Sequence, residues 1–149
     1  EINPHFIRLR SLRVPSRVPL FNKVRSGEFE AQSDEMLVEE IKLFIESLEG
    51  ITSTVTSDHI MNLLEDVSGT LPQDKIRMLN SISDYCSLAP VERLIYRTGR
   101  RAGVYRSPRD LHADPLTYQK ISALLEGIIK KQGLAGVEDF ISELADRYI

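Results

Sequence analysis

The segment from residue 51 to residue 59 restricts the fold most, because it combines a strand pattern with an abrupt stop. Residues 51–56 are rich in β-branched side chains, which suit a pleated and half-buried surface. Ser57 and Asp58 follow at once, and such residues favour turns and helix N-caps. We therefore predict a strand at 51–56 and a helix that opens at about His59.

An earlier strand and helix complete a strand-helix-strand unit. Residues 6–14 read as a strand that Pro15 ends, and Ser33 is placed to cap the helix that follows. The apolar face of that helix is Leu37, Ile41, Phe44, Ile45 and Leu48. A crossover of this kind makes the two strands parallel. Two parallel strands leave open edges, so downstream helices, a second copy or further chain must cover them.

Residues 71–149 show helical patterns throughout. Pro72, Pro90 and Pro115 each stand where a first helical turn tolerates proline, and Asp114 is a natural cap. Gly133 separates the last two helices, and the glycine-containing stretch 99–114 is the predicted hinge or loop. We expect a mostly helical α+β fold, with a βαβ segment at 1–70 and a helical segment at 71–149 packed on it as one unit.

Two motifs stand in the first half of the chain. Residues 57–79 follow SDHxxNLLxxVxGxLPxDKxxML, and residues 8–30 follow RxRxLxxPxGTPLxxxxxxGxFE, except that Arg17 and Val18 replace Gly-Thr. The first motif is carried by Ser57, Asp58, His59, Asn62, Leu63, Leu64, Val67, Gly69, Leu71, Pro72, Asp74, Lys75, Met78 and Leu79. Both motifs resemble radical S-adenosylmethionine Fe–S oxidoreductases related to the elongator-protein-3 and coproporphyrinogen-dehydrogenase classes.

The resemblance implies that the βαβ segment is a remnant of a partial (β/α) barrel and that residues 71–149 are its helical cap. Such enzymes hold a [4Fe–4S] cluster with CxxxCxxC, leaving one iron free for S-adenosylmethionine. This chain has one cysteine, Cys86, and its first residue is Glu1 rather than Met. We therefore expect a C-terminal, barrel-closing part that is inactive alone. The missing N-terminal barrel would be its partner and would bind both cofactors.

The composition of the chain limits the classes of partner that we expect it to bind. The net charge of -3 disfavours a general nucleic-acid or membrane-surface binder, which needs excess Lys and Arg. We find no run of 18 apolar residues and no signal-peptide pattern, so we expect a cytoplasmic location and no membrane partner. A lone cysteine cannot form an intramolecular disulfide. Cys86 falls within an apolar helical pattern, which predicts a buried structural thiol.

The end of the second strand supplies the first candidate site. The resemblance places Ser57, Asp58, His59 and Asn62 at the mouth of the barrel, where Asp58 and His59 could exchange protons or hold substrate. In the alternative interpretation, Asp58 only caps a helix and His59 packs against it. A metal site that also used His5 and His112 is disfavoured, because these residues lack a helical ligand spacing.

An uneven charge distribution supplies the second candidate site. Residues 34–66 carry nine acids and one Lys, whereas six arginines between 93 and 109 have no acid among them. Arg97, Arg100 and Arg101 are the candidates for anion binding, and nearby tyrosines could stack on bases. A helical RNA-binding or protein-binding module is thus the alternative function. The other interpretation is a solvated basic face that pairs with acidic helices.

Overall fold

The computed structural model describes residues 2–148 and shows a mostly helical α+β protein, as predicted. Its elements are β1 (Phe6–Arg8), α1 (Leu20–Ser26), α2 (Asp34–Ser47), β2 (Thr54–Thr56), β3 (Gly69–Thr70), α3 (Lys75–Ser87), α4 (Pro90–Arg101), α5 (Asp110–Ala113) and α6 (Pro115–Asp146). Gly133 has non-helical φ and ψ angles of 71° and -168°, so α6 is two helices joined at a break. This break confirms the predicted boundary.

The sheet has the order β1-β2-β3. β1 and β2 are parallel, with Phe6 opposite Thr54, so the predicted strand-helix-strand unit is confirmed. β3 pairs antiparallel with β2 and was not predicted. The Thr54 N–H donates to the His5 carbonyl, and the Leu9 N–H donates to the Thr56 carbonyl. Because backbone groups alternate in direction along a strand, those of Phe6 and Arg8 point to the open side of β1.

β1 and β2 are both shorter than predicted. Side chains bind backbone groups that a longer strand would have bound to its neighbour. Beyond β1, the Ser11 N–H donates to Asn62 Oδ1 rather than to a neighbouring strand. Before β2, the Thr52 N–H donates to Asn3 Oδ1, and the Ser53 hydroxyl donates to the Pro4 carbonyl. The predicted helix at His59 is also wrong, since residues 57–68 contain turns and bends but no helix. Side chains that bond the backbone locally compete with a helix in this way.

Local start and stop signals behaved as predicted in most helices. Ser33 Oγ accepts from the Met36 N–H at the start of α2, and Asp114 accepts from the Leu116 and Thr117 N–H groups at the start of α6. Pro90 opens α4 as its first residue. Pro72 differs, because it lies in the turn before α3, which begins at Lys75.

One hydrophobic core joins the two halves of the chain. It contains Val38 and Val55 from the first half together with Met78, Ile95 and Val137 from the second. One face of the sheet packs on this core, whereas Phe6 is 72% exposed on the other face. None of the helices within residues 2–148 is long and apolar enough to cross a membrane.

Two predictions about the second half are corrected. Cys86 is exposed, because its neighbour Tyr85 takes the core-facing position on α3. The stretch 99–114 is no simple hinge, since Tyr105 and Leu111 are fully buried within it. Tyr105 packs directly over Gly99, where a Cβ would lie 2.1 Å from its ring. A side chain at position 99 would therefore force this ring out of its place.

Candidate functional site

The carboxyl ends of β1 and β2 meet at one edge of the sheet, because the two strands are parallel. Arg8 of β1 reaches across to Asp58, which follows β2. Arg8 Nη2 lies 2.8 Å from Asp58 Oδ2, and Nε lies 3.1 Å from Oδ1. Both side chains are about half exposed, at 54% and 56%. The hydrogen bond from Arg8 lowers the pKa of Asp58, so the carboxylate is a weak base held in a bidentate pair.

His59 stands beside this pair and is partly buried. Its Nδ1 accepts from the Met61 N–H at 3.3 Å, so the neutral ring carries its proton on Nε2. Burial lowers the pKa of His59, and the positive charges of Arg10 and Arg8 lower it further. The imidazole is therefore neutral at pH 7. It can donate through Nε2–H, and Asp58 does not act as its hydrogen-bond partner in this arrangement.

Asn62 is completely buried and joins the two strand ends. Its Nδ2 donates to the Leu9 carbonyl at 3.0 Å. Its Oδ1 accepts from the N–H and hydroxyl of Ser11, at 3.1 and 3.0 Å. Because its donor and its acceptor are both engaged, the Asn62 amide links the loop after β2 to the segment after β1.

Ser57 is also completely buried, and its hydroxyl is engaged within the same loop. It donates to the Leu64 carbonyl at 2.8 Å, while the Ser57 N–H donates to Ser68 Oγ. The structure thus divides the four predicted site residues. Asp58 and His59 reach the surface, whereas Ser57 and Asn62 shape the loop that carries them.

Asp58 is not a helix cap, because no helix follows it. Its carboxylate is bound by Arg8 instead, and the next helix starts only at Lys75. The pairing was hidden in the sequence, where Arg8 and Asp58 are separated by 50 positions. The strand register that brings Arg8 opposite Thr56 is the signal that places them together.

Two arginines of α4 donate hydrogen bonds to the loop after β2, which we call the site loop (residues 57–68). Arg100 Nε donates to the Asn62 carbonyl at 3.1 Å, and its Nη1 lies 2.9 Å from Glu65 Oε2. Arg101 Nη1 donates to the Ile60 carbonyl at 2.6 Å. Both guanidinium groups are buried, and both were missed as supports of this loop by sequence reasoning.

A third arginine of α4 belongs to the same buried network. Arg97 and Arg101 share the Asp34 carboxylate, with N–O distances of 2.8 and 2.7 Å. The predicted pairing of the basic segment with an acidic helix is therefore correct, but the predicted solvated face is not. Arg97, Arg100 and Arg101 are almost inaccessible to water. An external anion would have to compete with the carboxylates that already hold them.

The exposed polar groups of the site loop could bind an anion or exchange a proton. Arg10 lies close enough to Asp58 and His59 to lower both pKa values. Within residues 2–148, no group of three or more His, Cys, Asp or Glu side chains could hold a metal ion. The chemically available groups at this edge are the Asp58 carboxylate, the His59 ring and the Arg10 guanidinium.

Comparison with known proteins gives no relative for this chain. No family model matches it, and neither do any curated protein or any solved structure.

Proposed function

We propose that this chain is the C-terminal, barrel-closing and helical-cap portion of a radical S-adenosylmethionine oxidoreductase. The observation that carries the proposal is the parallel pairing of β1 with β2, with β1 at the edge of the sheet within residues 2–148. The antiparallel β3 occupies the other side of β2, so the barrel of the parent would be a partial one. A barrel strand needs a neighbour on both sides. The preceding strand of the parent would pair with the unused backbone groups of Phe6 and Arg8.

The face of the sheet opposite the core supports the same arrangement. Arg8 and Asp58 lie on this face with the exposed Phe6, whereas Ile45 and Val38 of α2 belong to the core that covers the other face. In a (β/α) barrel the helices cover the outside and the opposite face lines the interior. The Arg8–Asp58 pair would then lie inside the parent's barrel, near the reacting groups.

A groove at the end of β1 supports the proposal further. It has a volume of about 230 Å³ and lies between the end of β1 and helix α2, with Leu9, Leu37, Ile41 and Phe44 in its wall. An apolar residue of the preceding strand or helix would fill it. The three thiolates of the cluster would come from the N-terminal part, because this chain has only Cys86.

The alternative function, an RNA-binding or protein-binding module, draws less support from the geometry. Its strongest candidates, Arg97, Arg100 and Arg101, are buried and paired with Asp34, Glu65 and Glu138. Arg106 remains 78% exposed and Arg109 pairs with Asp84. A filter-binding titration against tRNA tests this alternative, since phosphate binding weakens steeply with salt.

The decisive experiment reads the gene sequence upstream of this chain and assays the complete protein. The sequence in frame upstream of Glu1 should encode CxxxCxxC, and the complete protein, reconstituted with iron and sulfide, should cleave S-adenosylmethionine reductively. The 149-residue chain treated in the same way is the matched control and should give no [4Fe–4S] absorbance. A stable cluster on this chain alone, or an upstream sequence without the cysteines, would overturn the proposal.

A further inference from the structure

A second cavity lies away from the strand ends, between the segment after β1, the start of α2 and the last half of α6. Its volume is about 200 Å³, and its lining residues include Arg13, Arg97 and Arg101. At roughly 30 Å³ for each water molecule, this space suits a small ligand of several heavy atoms.

The inner charges of this cavity are not balanced by Asp34 alone. Asp34 lies 2.8 Å from Arg97 Nε and 2.7 Å from Arg101 Nη2, so one carboxylate serves two guanidinium groups. Burial alone would raise the pKa of Asp34, but the charges of Arg101 and Arg97 outweigh burial and lower it. The carboxylate is therefore ionised, and one positive charge still needs a partner.

Glu138 supplies that partner from the surface. Its two oxygens lie 2.7 and 2.8 Å from Nη1 and Nη2 of Arg97, the fork geometry in which a guanidinium binds a carboxylate. The Glu138 side chain is 52% exposed, whereas that of Arg97 is 8% exposed. The acid can therefore rotate into water, whereas the arginine cannot, so Arg97 would then need another carboxylate as its partner.

The last half of α6 presents Glu138 together with two further polar groups. Glu138, Ser142 and Asp146 are spaced four residues apart, so they lie on one face of the helix. Ser142 and Asp146 both accept hydrogen bonds from Arg13. This helical half starts after the break at Gly133 and forms one side of the cavity.

We propose that this cavity binds a small carboxylate, whose carboxyl group takes the place of Glu138 on Arg97. In this exchange the ligand supplies the carboxylate that Arg97 needs, while the displaced Glu138 is solvated at the surface. A planar carboxylate matches the two parallel N–H donors of Arg97, and Arg13 and Arg101 are further donors among the lining residues. This inference does not depend on the radical-enzyme proposal.

Titration calorimetry with succinate tests the site at constant ionic strength. Glu138→Gln removes the internal competitor, and Glu143→Gln removes an exposed acid from the same helix as the matched control. The Glu138 variant should bind succinate with a Kd roughly tenfold or more below that of the wild type, since the ligand then enters an unoccupied fork. The Glu143 variant should match the wild type.

Equal affinity in the two variants would overturn the proposal. Adding Arg13→Gln to Glu138→Gln should weaken succinate binding again, and no change would count against the cavity as the site. If circular dichroism shows that Glu138→Gln is unfolded, Glu138→Asp gives the same test, because its shorter carboxylate holds Arg97 less well. Phosphate provides the last comparison, and binding of phosphate without succinate would exclude a carboxylate site.

Discussion

Arg8 binds Asp58 through two hydrogen bonds that cross from one parallel strand end to the other. The pair links the end of β1 to the loop that also carries His59, yet both partners reach water. Exposed ion pairs contribute little to stability, typically about 0 to 1 kcal/mol. Substitution of Arg8 or Asp58 should therefore affect any chemistry at this site more than it affects the stability of the fold.

The first prediction separates these two roles in the complete enzyme of the radical-enzyme proposal. Asp58→Asn and His59→Gln should each reduce turnover while leaving the melting temperature nearly unchanged, because both side chains reach the surface and neither caps a helix. Steady-state assays and thermal unfolding measure the two effects. Asp84→Asn, in another partly exposed pair with Arg109, is the control and should leave turnover intact.

Unchanged turnover in both site variants would remove Asp58 and His59 from the candidate site. A large fall in melting temperature with unchanged turnover would instead assign them a purely structural role. In that case, the strand-end groups that remain for chemistry would be the arginines of β1 and its extension.

The second prediction concerns the buried hydrogen bonds of the Asn62 side chain. Asn62→Ala should destabilise the chain by about 2 to 4 kcal/mol, because the Ser11 N–H and the Leu9 carbonyl lose their partner in a buried place. Urea unfolding followed by circular dichroism measures the change. Asn80→Ala, on the exposed side of α3, is the matched control and should stay within about 0.5 kcal/mol.

If Asn62→Ala lowers the free energy of unfolding no more than Asn80→Ala does, water replaces the hydrogen bonds of the Asn62 side chain. In that event the loop after β2 would be held mainly by Arg100 and Arg101 from α4. The double variant with Arg100→Met would then show which of the two attachments dominates.

The third prediction is a pH dependence that originates at Asp34. Its pKa is lower in the folded chain than the ordinary value of 3.8, so its stabilising effect is complete above pH 3.8 and is lost as the pH falls through the folded pKa. Asp34→Asn should cost about 3 to 5 kcal/mol at pH 7, since it leaves two buried arginines without their shared partner.

Denaturant unfolding of both proteins between pH 2.5 and 7 provides the measurement. The difference between wild type and Asp34→Asn should be constant above pH 3.8 and should shrink as the pH falls below it. Glu39→Gln, an exposed change on the same helix, should show no such convergence. A difference that grows on acidification would contradict the assigned direction of the pKa shift.

Short-range signals in the sequence were sufficient for most of the helices. Ser33, Asp114 and Gly133 act on backbone groups within a few residues, and each stands where the sequence placed it. The parallel pair of strands was also predictable, because an amphipathic helix between two strands leaves few other topologies. These features need no knowledge of distant contacts.

The loop after β2 shows what local patterns cannot reveal. The apolar residues between Ile60 and Leu64 resemble a helical face, but Ser57 and Asn62 capture backbone groups that a helix would use. Arg100 reaches that loop from 38 positions away, and Arg101 reaches Asp34 from 67. The sequence reveals the excess of arginine in this segment, but not its burial.

The last prediction concerns the open edge of β1. The backbone groups of Phe6 and Arg8 that face away from β2 form a template for another strand, and Phe6 adds an exposed aromatic surface. The isolated chain should therefore self-associate, most simply as a two-fold dimer that buries about 800 Å² on each partner. Sedimentation velocity at low micromolar concentration measures this association directly.

Phe6→Glu should return the chain to a monomer, because two copies of the charge would meet in the paired edge. Leu116→Glu changes an equally exposed apolar residue at the start of α6, far along the chain from the strands, and should leave the dimer intact. A wild-type monomer with cooperative unfolding would show that the edge is stable without a partner. The barrel-closing proposal would then lose the structural need for a preceding strand.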